Sequence, residues 1–138
     1  MGSMDNCLIC GKKPKRSINR YCSNKCLSDD RYHKYINNWR KGLVDGSRGI
    51  TAKNISRHVD QYLREKYHNK CLLCGWSQIN KFLNKVPVEI DHIDGNSENN
   101  NESNLRLICP NCHSLSKNYR NLNRGRGRVW RMLKYKRN

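Results

Sequence analysis

Eight cysteines arranged as four close pairs constrain this chain more than any other feature. Cys7-Leu-Ile-Cys10 is answered by Cys22-Ser-Asn-Lys-Cys26, and Cys71-Leu-Leu-Cys74 by Cys109-Pro-Asn-Cys112 after an interval of 34 residues. A pair of thiolates on one tight turn supplies half of the tetrahedral set that zinc prefers, and two pairs complete it. The spacing therefore predicts two structural Zn²⁺ ions, one on Cys7, Cys10, Cys22 and Cys26, the other on Cys71, Cys74, Cys109 and Cys112. Staples of this kind are needed, because 138 residues with 36% hydrophobic content and a single Phe cannot bury a large core. No secretory leader or long apolar run is evident, which favours zinc thiolates in a reducing, intracellular setting over an extracellular disulfide framework. Met1-Gly2-Ser3, ahead of Met4, reads as a cloning remnant.

The formal charge is +17. Eight thiolates and two zinc ions would lower it to about +13, which still predicts a polyanionic partner rather than a membrane, a small molecule or another protein.

Between the second set of knuckles lies Val88-Glu89-Ile90-Asp91-His92-Ile93-Asp94-Gly95-Asn96, and His113 directly follows Cys112. A carboxylate and one imidazole, Asp91 and His113, can hold a divalent ion against a scissile phosphate and its departing 3′ oxygen. A second imidazole, His92, suits the deprotonation of an attacking water, since the imidazole group as a class titrates near neutrality. These are the parts that metal-assisted phosphodiester hydrolysis requires. Adjacent strand residues point to opposite faces, so Asp91 and His92 would share a site only at a distorted strand end.

The run Asp-His-Ile-Asp-Gly-Asn, followed by Ser-Asn-Leu-Arg-Leu-Ile-Cys-Pro-Asn-Cys-His, resembles the HNH endonucleases with a ββα-metal active site, in the zinc-stapled form found in phage and homing nucleases. The resemblance covers roughly residues 55 to 125. It implies a small zinc-stabilised α+β fold with a treble-clef-like ββα core, a nuclease acting on DNA, most simply double-stranded, and a phage origin. It also implies that Asn104 ties the loop back so that His92 is correctly oriented. Asn96, Asn99, Asn100 and Asn101 are close competitors, but Asn104 alone stands in the Asn-Leu-Arg context. Some relatives carry a further His one helical turn past the final one. Lys117 occupies that position here, which implies a two-ligand, water-rich site suited to Mg²⁺, with Mn²⁺ or another transition metal as substitutes. Lys117 or Arg106 could instead face a phosphate oxygen.

The organisation read from pattern is a zinc finger and helix over 4–41, a linker over 42–50, a nuclease domain over 51–120 and a basic, DNA-contacting tail over 121–138. The finger carries a rim of Lys12, Lys13, Lys15, Arg16 and Arg20, and Tyr21–Ser23 re-enters from a short hairpin. Ser28 is placed to cap a helix with Asp29 and Asp30 in its first turn and Gly42 at its end. Tyr32, Tyr35, Ile36 and Trp39 on that helix are expected to pack onto the finger. Gly42 to Gly49 reads as a linker, implying that the remainder folds without the finger. Thr51 can cap a second helix with Ile55, Val59, Leu63 and Tyr67 on one stripe. Trp76 is expected to plug the core over the zinc, and His58 and His68 to be ordinary surface or satisfied residues. Val86–His92 and Leu105–Ile108 are predicted strands around an Asx-turn loop, with a helix from Pro110 to about Tyr119. A helical segment over Val129–Tyr135 is possible in the tail. The competing functional reading is a non-catalytic zinc-finger protein that binds nucleic acid, and a zinc adaptor for protein assembly is a weaker third.

Overall fold

A computed structural model of the chain describes residues 6–49, 54–125 and 133. The tag-like Met1–Ser3, the Thr51 cap and, apart from Leu133, the tail segment 129–135 lie outside the described residues. The fold is small and α+β. Its centre is an antiparallel hairpin of β1 (Glu89–His92) and β2 (Leu105–Ile108), in the register Glu89↔Ile108, Ile90↔Leu107, Asp91↔Arg106 and His92↔Leu105.

The first helix, α1, runs from Asn24 to Arg40 and begins earlier than the sequence suggests. Its cap is Ser23, whose hydroxyl accepts from the Cys26 amide, and not Ser28. The knuckle explains the shift, since Cys22 and Cys26 face one centre only if the helix has already started between them. Asp29 and Asp30 consequently sit inside the helix, where they pair with Lys25 at 2.8 Å and Lys34 at 2.6 Å. Gly42, at φ +75°, stands just past the end and donates to the Trp39 carbonyl. In the finger, the expected hairpin is represented by a backbone bond from Leu8 to Arg20, and the basic rim is exposed.

The second helix, α2 (Arg57–Lys66), is capped by Ser56, whose hydroxyl accepts from the Val59 amide. Val59 and Leu63 on its inner face are fully buried. They meet Ile36 and Trp39 of α1 and Leu105 of β2 in one apolar cluster. The apolar residues of α1 therefore pack on α2 and the hairpin and not on the finger. The packing crosses the sequence boundaries as well, because the segment read as a linker pairs Ser47 with Ile55 and accepts the Ser56 amide on the Gly46 carbonyl. A second cluster, of Cys71, Val86, Val88, Leu107, Ile108 and Cys109, lies beneath the second cysteine set, with Trp76 packed against it. Tyr67 and Ile90 touch both clusters and join them.

The helix after β2, α3 (Pro110–Ser114), is five residues long and stops well short of Tyr119. The Ser114 hydroxyl donates to the Asn111 carbonyl at 2.7 Å, and the chain then turns so that Asn118 donates to the Ile93 carbonyl at 3.0 Å. Tyr119 thereby lands edge-on against the His113 ring. Among the described residues, no helix is long and apolar enough to cross a membrane.

Candidate active site and metal centres

Both cysteine sets converge, with the four sulfurs of each lying within 4.8 Å of one another. In the finger the Cys10–Cys22, Cys22–Cys26 and Cys10–Cys26 sulfurs are 3.3, 3.6 and 3.7 Å apart. The edges of a zinc–tetrathiolate tetrahedron are about 3.8 Å for zinc–sulfur bonds of about 2.3 Å. Cys74 and Cys109 are likewise 3.7 Å apart, and all eight thiols are free of disulfides. The local electrostatics favour a cation. Backbone hydrogen bonds, chiefly at Cys10, lower Cys7 to about 6. Burial opposes ionisation of Cys71, but backbone hydrogen bonds from Cys109, Cys74 and Leu73 outweigh it and lower this thiol to about 6 as well. Neighbouring thiols push Cys22 and Cys112 up to about 12. Without a cation each set therefore keeps protons on some of its sulfurs, whereas zinc takes four thiolates. Both sets are compatible with structural zinc.

The hairpin carries the remaining candidates. Alternation along β1 puts Glu89 and Asp91 on one face and Ile90 and His92 on the other. The last knuckle brings His113 to the Glu89–Asp91 face. The Nδ1 atom of His113 is 2.7 Å from Glu89 Oε2, and its Nε2 is 3.9 Å from Asp91 Oδ1. Asp91 is only 6% exposed. Its other oxygen, Oδ2, accepts from Nε and Nη2 of Arg106, both at 2.7 Å, which leaves Oδ1 for the gap toward His113.

This donor set fits a hydrated divalent ion. One carboxylate oxygen and one imidazole nitrogen face each other across 3.9 Å, wider than the about 3 Å between adjacent ligands and just short of the about 4.2 Å between opposite ligands on an octahedral ion with bonds of about 2.1 Å. The far nitrogen of that imidazole is held by a second carboxylate, as is usual for metal-ligating histidines. Among the described residues, the groups that bring three or more cysteine, histidine or acidic ligand atoms together are the two cysteine sets, and Asp91 and His113 belong to neither.

His92 ends β1 in regular pairing with Leu105, so the strand is not distorted at this point and the turn begins only at Ile93. Its Nε2 lies 2.9 Å from Oδ1 of Asn100. A carboxamide oxygen can only accept, so in the neutral ring this contact places the proton on Nε2 and the lone pair on Nδ1. Asn104, mostly buried, works on the loop instead. Its Oδ1 accepts from the Asp94 amide at 3.0 Å, and its Nδ2 donates to Asp94 Oδ1 at 2.9 Å and to the Asn99 carbonyl at 2.8 Å. Its carbonyl takes the Ile93 amide at 2.9 Å, closing the loop directly after His92. Between these anchors, Asx turns at Asp94 and Asn96 satisfy the amides of Asn96 and Glu98. Burial disfavours the charge on Asp94, but hydrogen bonds from Asn99, Asn96 and Asn104 outweigh it and lower its pKa. Gly95, at φ +76°, is roofed by Asn118 and Asn123, and a Cβ there would meet Asn123 Oδ1 at 2.6 Å. Lys117 is exposed.

Two residues at this site were assigned no role from sequence, Asn100 being named only as a competitor of Asn104. Glu89 had a usable signal, since it stands two positions before Asp91 and so shares its strand face. Asn100 had none, because several neighbouring asparagines in the same loop look equivalent in sequence.

Residues 71–118 match the family model described as HNH endonuclease. The chain is also similar, at 44% identity over 85 residues, to the protein named H-N-H endonuclease F-TflIV of Escherichia phage T5. The alignment takes in 61% of this chain and 35% of the phage protein, so the match spans about a third of that relative's length. No solved structure matches the chain.

Proposed function

From the premise that residues 71–118 are an HNH endonuclease domain, we propose that the chain is a metal-dependent DNA endonuclease acting inside a cell whose reducing conditions keep its thiols available to zinc. The observation that carries this reading is the line Glu89–His113–Asp91, in which one imidazole has a carboxylate on each nitrogen and aims Nε2 at Asp91 Oδ1. A structural histidine needs no carboxylate facing each of its nitrogens. The +17 charge supports a nucleic-acid substrate.

A divalent ion on Asp91 Oδ1 and His113 Nε2, Mg²⁺ in the first instance, would supply positive charge to the scissile phosphate and to the departing 3′ oxygen. The protein's own residues do the rest. His92, with Nε2 protonated against Asn100, takes the proton of the attacking water on Nδ1 as the oxygen–phosphorus bond forms and the bond to the 3′ oxygen breaks. In an in-line displacement the attacking and leaving oxygens lie on opposite sides of phosphorus. A base on one face of β1 and metal ligands on the other suit a phosphate seated at the strand end between them. Glu89 holds His113 in register, and Arg106 engages Oδ2 of Asp91 and leaves Oδ1 facing His113.

One observation favours the non-catalytic alternative, a zinc-finger protein that only binds nucleic acid: the Arg106 ion pair by itself accounts for a buried Asp91. Cleavage of supercoiled plasmid across a panel of divalent metals separates the readings. The nuclease reading expects metal-dependent nicking or linearisation that is lost in a folded His92→Ala protein. Equal activity in that variant, or no cleavage with any metal, overturns it.

A further inference from the structure

The imidazole read as the base is held by a chain of contacts that leads out of the HNH segment. Asn100, 5% exposed, presents its side-chain oxygen to His92 and its backbone oxygen to the indole of Trp39, whose Nε1 donates at 2.8 Å. Trp39 is itself 5% exposed and belongs to the last turn of α1, 61 residues away in sequence. Gly46 closes over the same junction. At φ +77°, a Cβ on it would lie 2.8 Å from Trp39 Nε1 and 3.2 Å from Asn100 Cβ, so the approach is open only to glycine. Two residues further along the loop, Glu102 is gripped by Arg40 of α1 at 2.9 Å and by Tyr62 and Lys66 of α2 at 2.7 and 2.8 Å. The loop that faces His92 is thus clamped at Asn100 and at Glu102 by helices outside residues 71–118.

We propose that Trp39 and Gly46 are positioning residues of the active site: they fix the Asn100 backbone so that its carboxamide holds His92 in one orientation, with Nε2 protonated and Nδ1 free. The inference rests on His92 as the base, but its physical content, the state of the imidazole, can be measured without cleavage. Residues 71–118 alone carry the parts of the site and lack the clamp, because an asparagine in a polar loop has many rotamers and the indole N–H selects one backbone position for it. The finger helix is therefore part of the catalytic unit.

The test uses the full chain with both zinc sites loaded. Long-range ¹H–¹⁵N correlation of the His92 ring, recorded without DNA in the pH range where the ring is neutral, should show a single Nε2–H tautomer in the wild-type protein. Trp39→Phe removes the N–H donor, Asn100→Leu removes the acceptor for the ring, and Gly46→Ala pushes on the junction from outside. Each should give mixed tautomers or exchange broadening at His92. Single-turnover cleavage should fall on the order of 10²-fold, as for a misplaced catalytic group, with DNA affinity unchanged. An Nδ1–H tautomer in the wild-type protein overturns the proposal even if no variant folds. So does an unaltered His92 signal in folded Asn100→Leu or Trp39→Phe. If the tautomer responds but the wild-type protein cleaves nothing, the clamp stands and the nuclease reading falls. If His92 is essential for cleavage yet indifferent to Asn100 and Trp39, the clamp alone falls.

Discussion

Replacing Glu89 with alanine tests the metal side of the site. Its carboxylate sits 2.7 Å from His113 Nδ1 and makes no contact with Asp91 among those described, so its removal should leave both proposed ligands in place while freeing the His113 ring to rotate. Loss of such an outer carboxylate typically costs about 10- to 100-fold in metal affinity or activity. The Glu89 side chain is 53% exposed, so water screens its charge and can take over part of its hydrogen bonding, which argues for the lower end. The expected shift is therefore about tenfold, or about 1.4 kcal/mol. The assay is the initial rate of plasmid cleavage as a function of Mg²⁺ concentration. The half-saturating concentration should rise about tenfold in Glu89→Ala while the rate at saturation stays near that of the wild type. Glu89→Gln, which keeps an acceptor, should shift less. His92→Ala provides the contrast, a loss of roughly 10² to 10⁴ in rate that no metal concentration restores. An unchanged half-saturating concentration in a Glu89→Ala protein with both zincs would refute the role given to Glu89. A loss that persists at saturating metal would show that Glu89 acts elsewhere in the reaction.

Cys71→Ser should lose one zinc and unfold the hairpin, because metal affinity of roughly 10 to 16 kcal/mol is folding free energy in sites of this kind. Elemental analysis and circular dichroism measure it, and a folded variant holding two zincs would contradict it. Leu63→Ala empties a fully buried position shared by α1, α2 and β2 and should destabilise the protein by about 2 to 5 kcal/mol in denaturant unfolding. A loss below about 1 kcal/mol would argue that these elements do not share one core. DNA affinity should fall by on the order of 10³ to 10⁵ between about 50 and 200 mM salt if about six to ten phosphates are neutralised, and a flat dependence would remove backbone contacts as its main source.

The sequence by itself determined the features that are local in the chain. The four cysteine pairs bring two thiolates each onto a single turn, so their grouping into two tetrahedral sets needs only the spacing. The β2 range and the first position of α3 were legible for the same reason, since an apolar run bounded by a polar loop and a Cys-Pro step admits few other structures. Tertiary structure decided whatever depends on partners distant in the chain. The start of α1 was moved by the geometry of the finger, and its apolar face went to α2 and β2 because those elements offered Val59, Leu63 and Leu105. Strand alternation alone put Glu89 and Asp91 on one face, but only the return of the last knuckle delivered His113 between them. Asn100 and Asn104 carry the same side chain in one loop and differ in what reaches them. Asn104 closes the loop on Asp94, while Asn100 is gripped by a tryptophan 61 residues upstream and so is the one that faces His92. A carboxamide's role is set by the donors and acceptors that folding brings within about 3 Å of it, and neighbours in sequence cannot specify them.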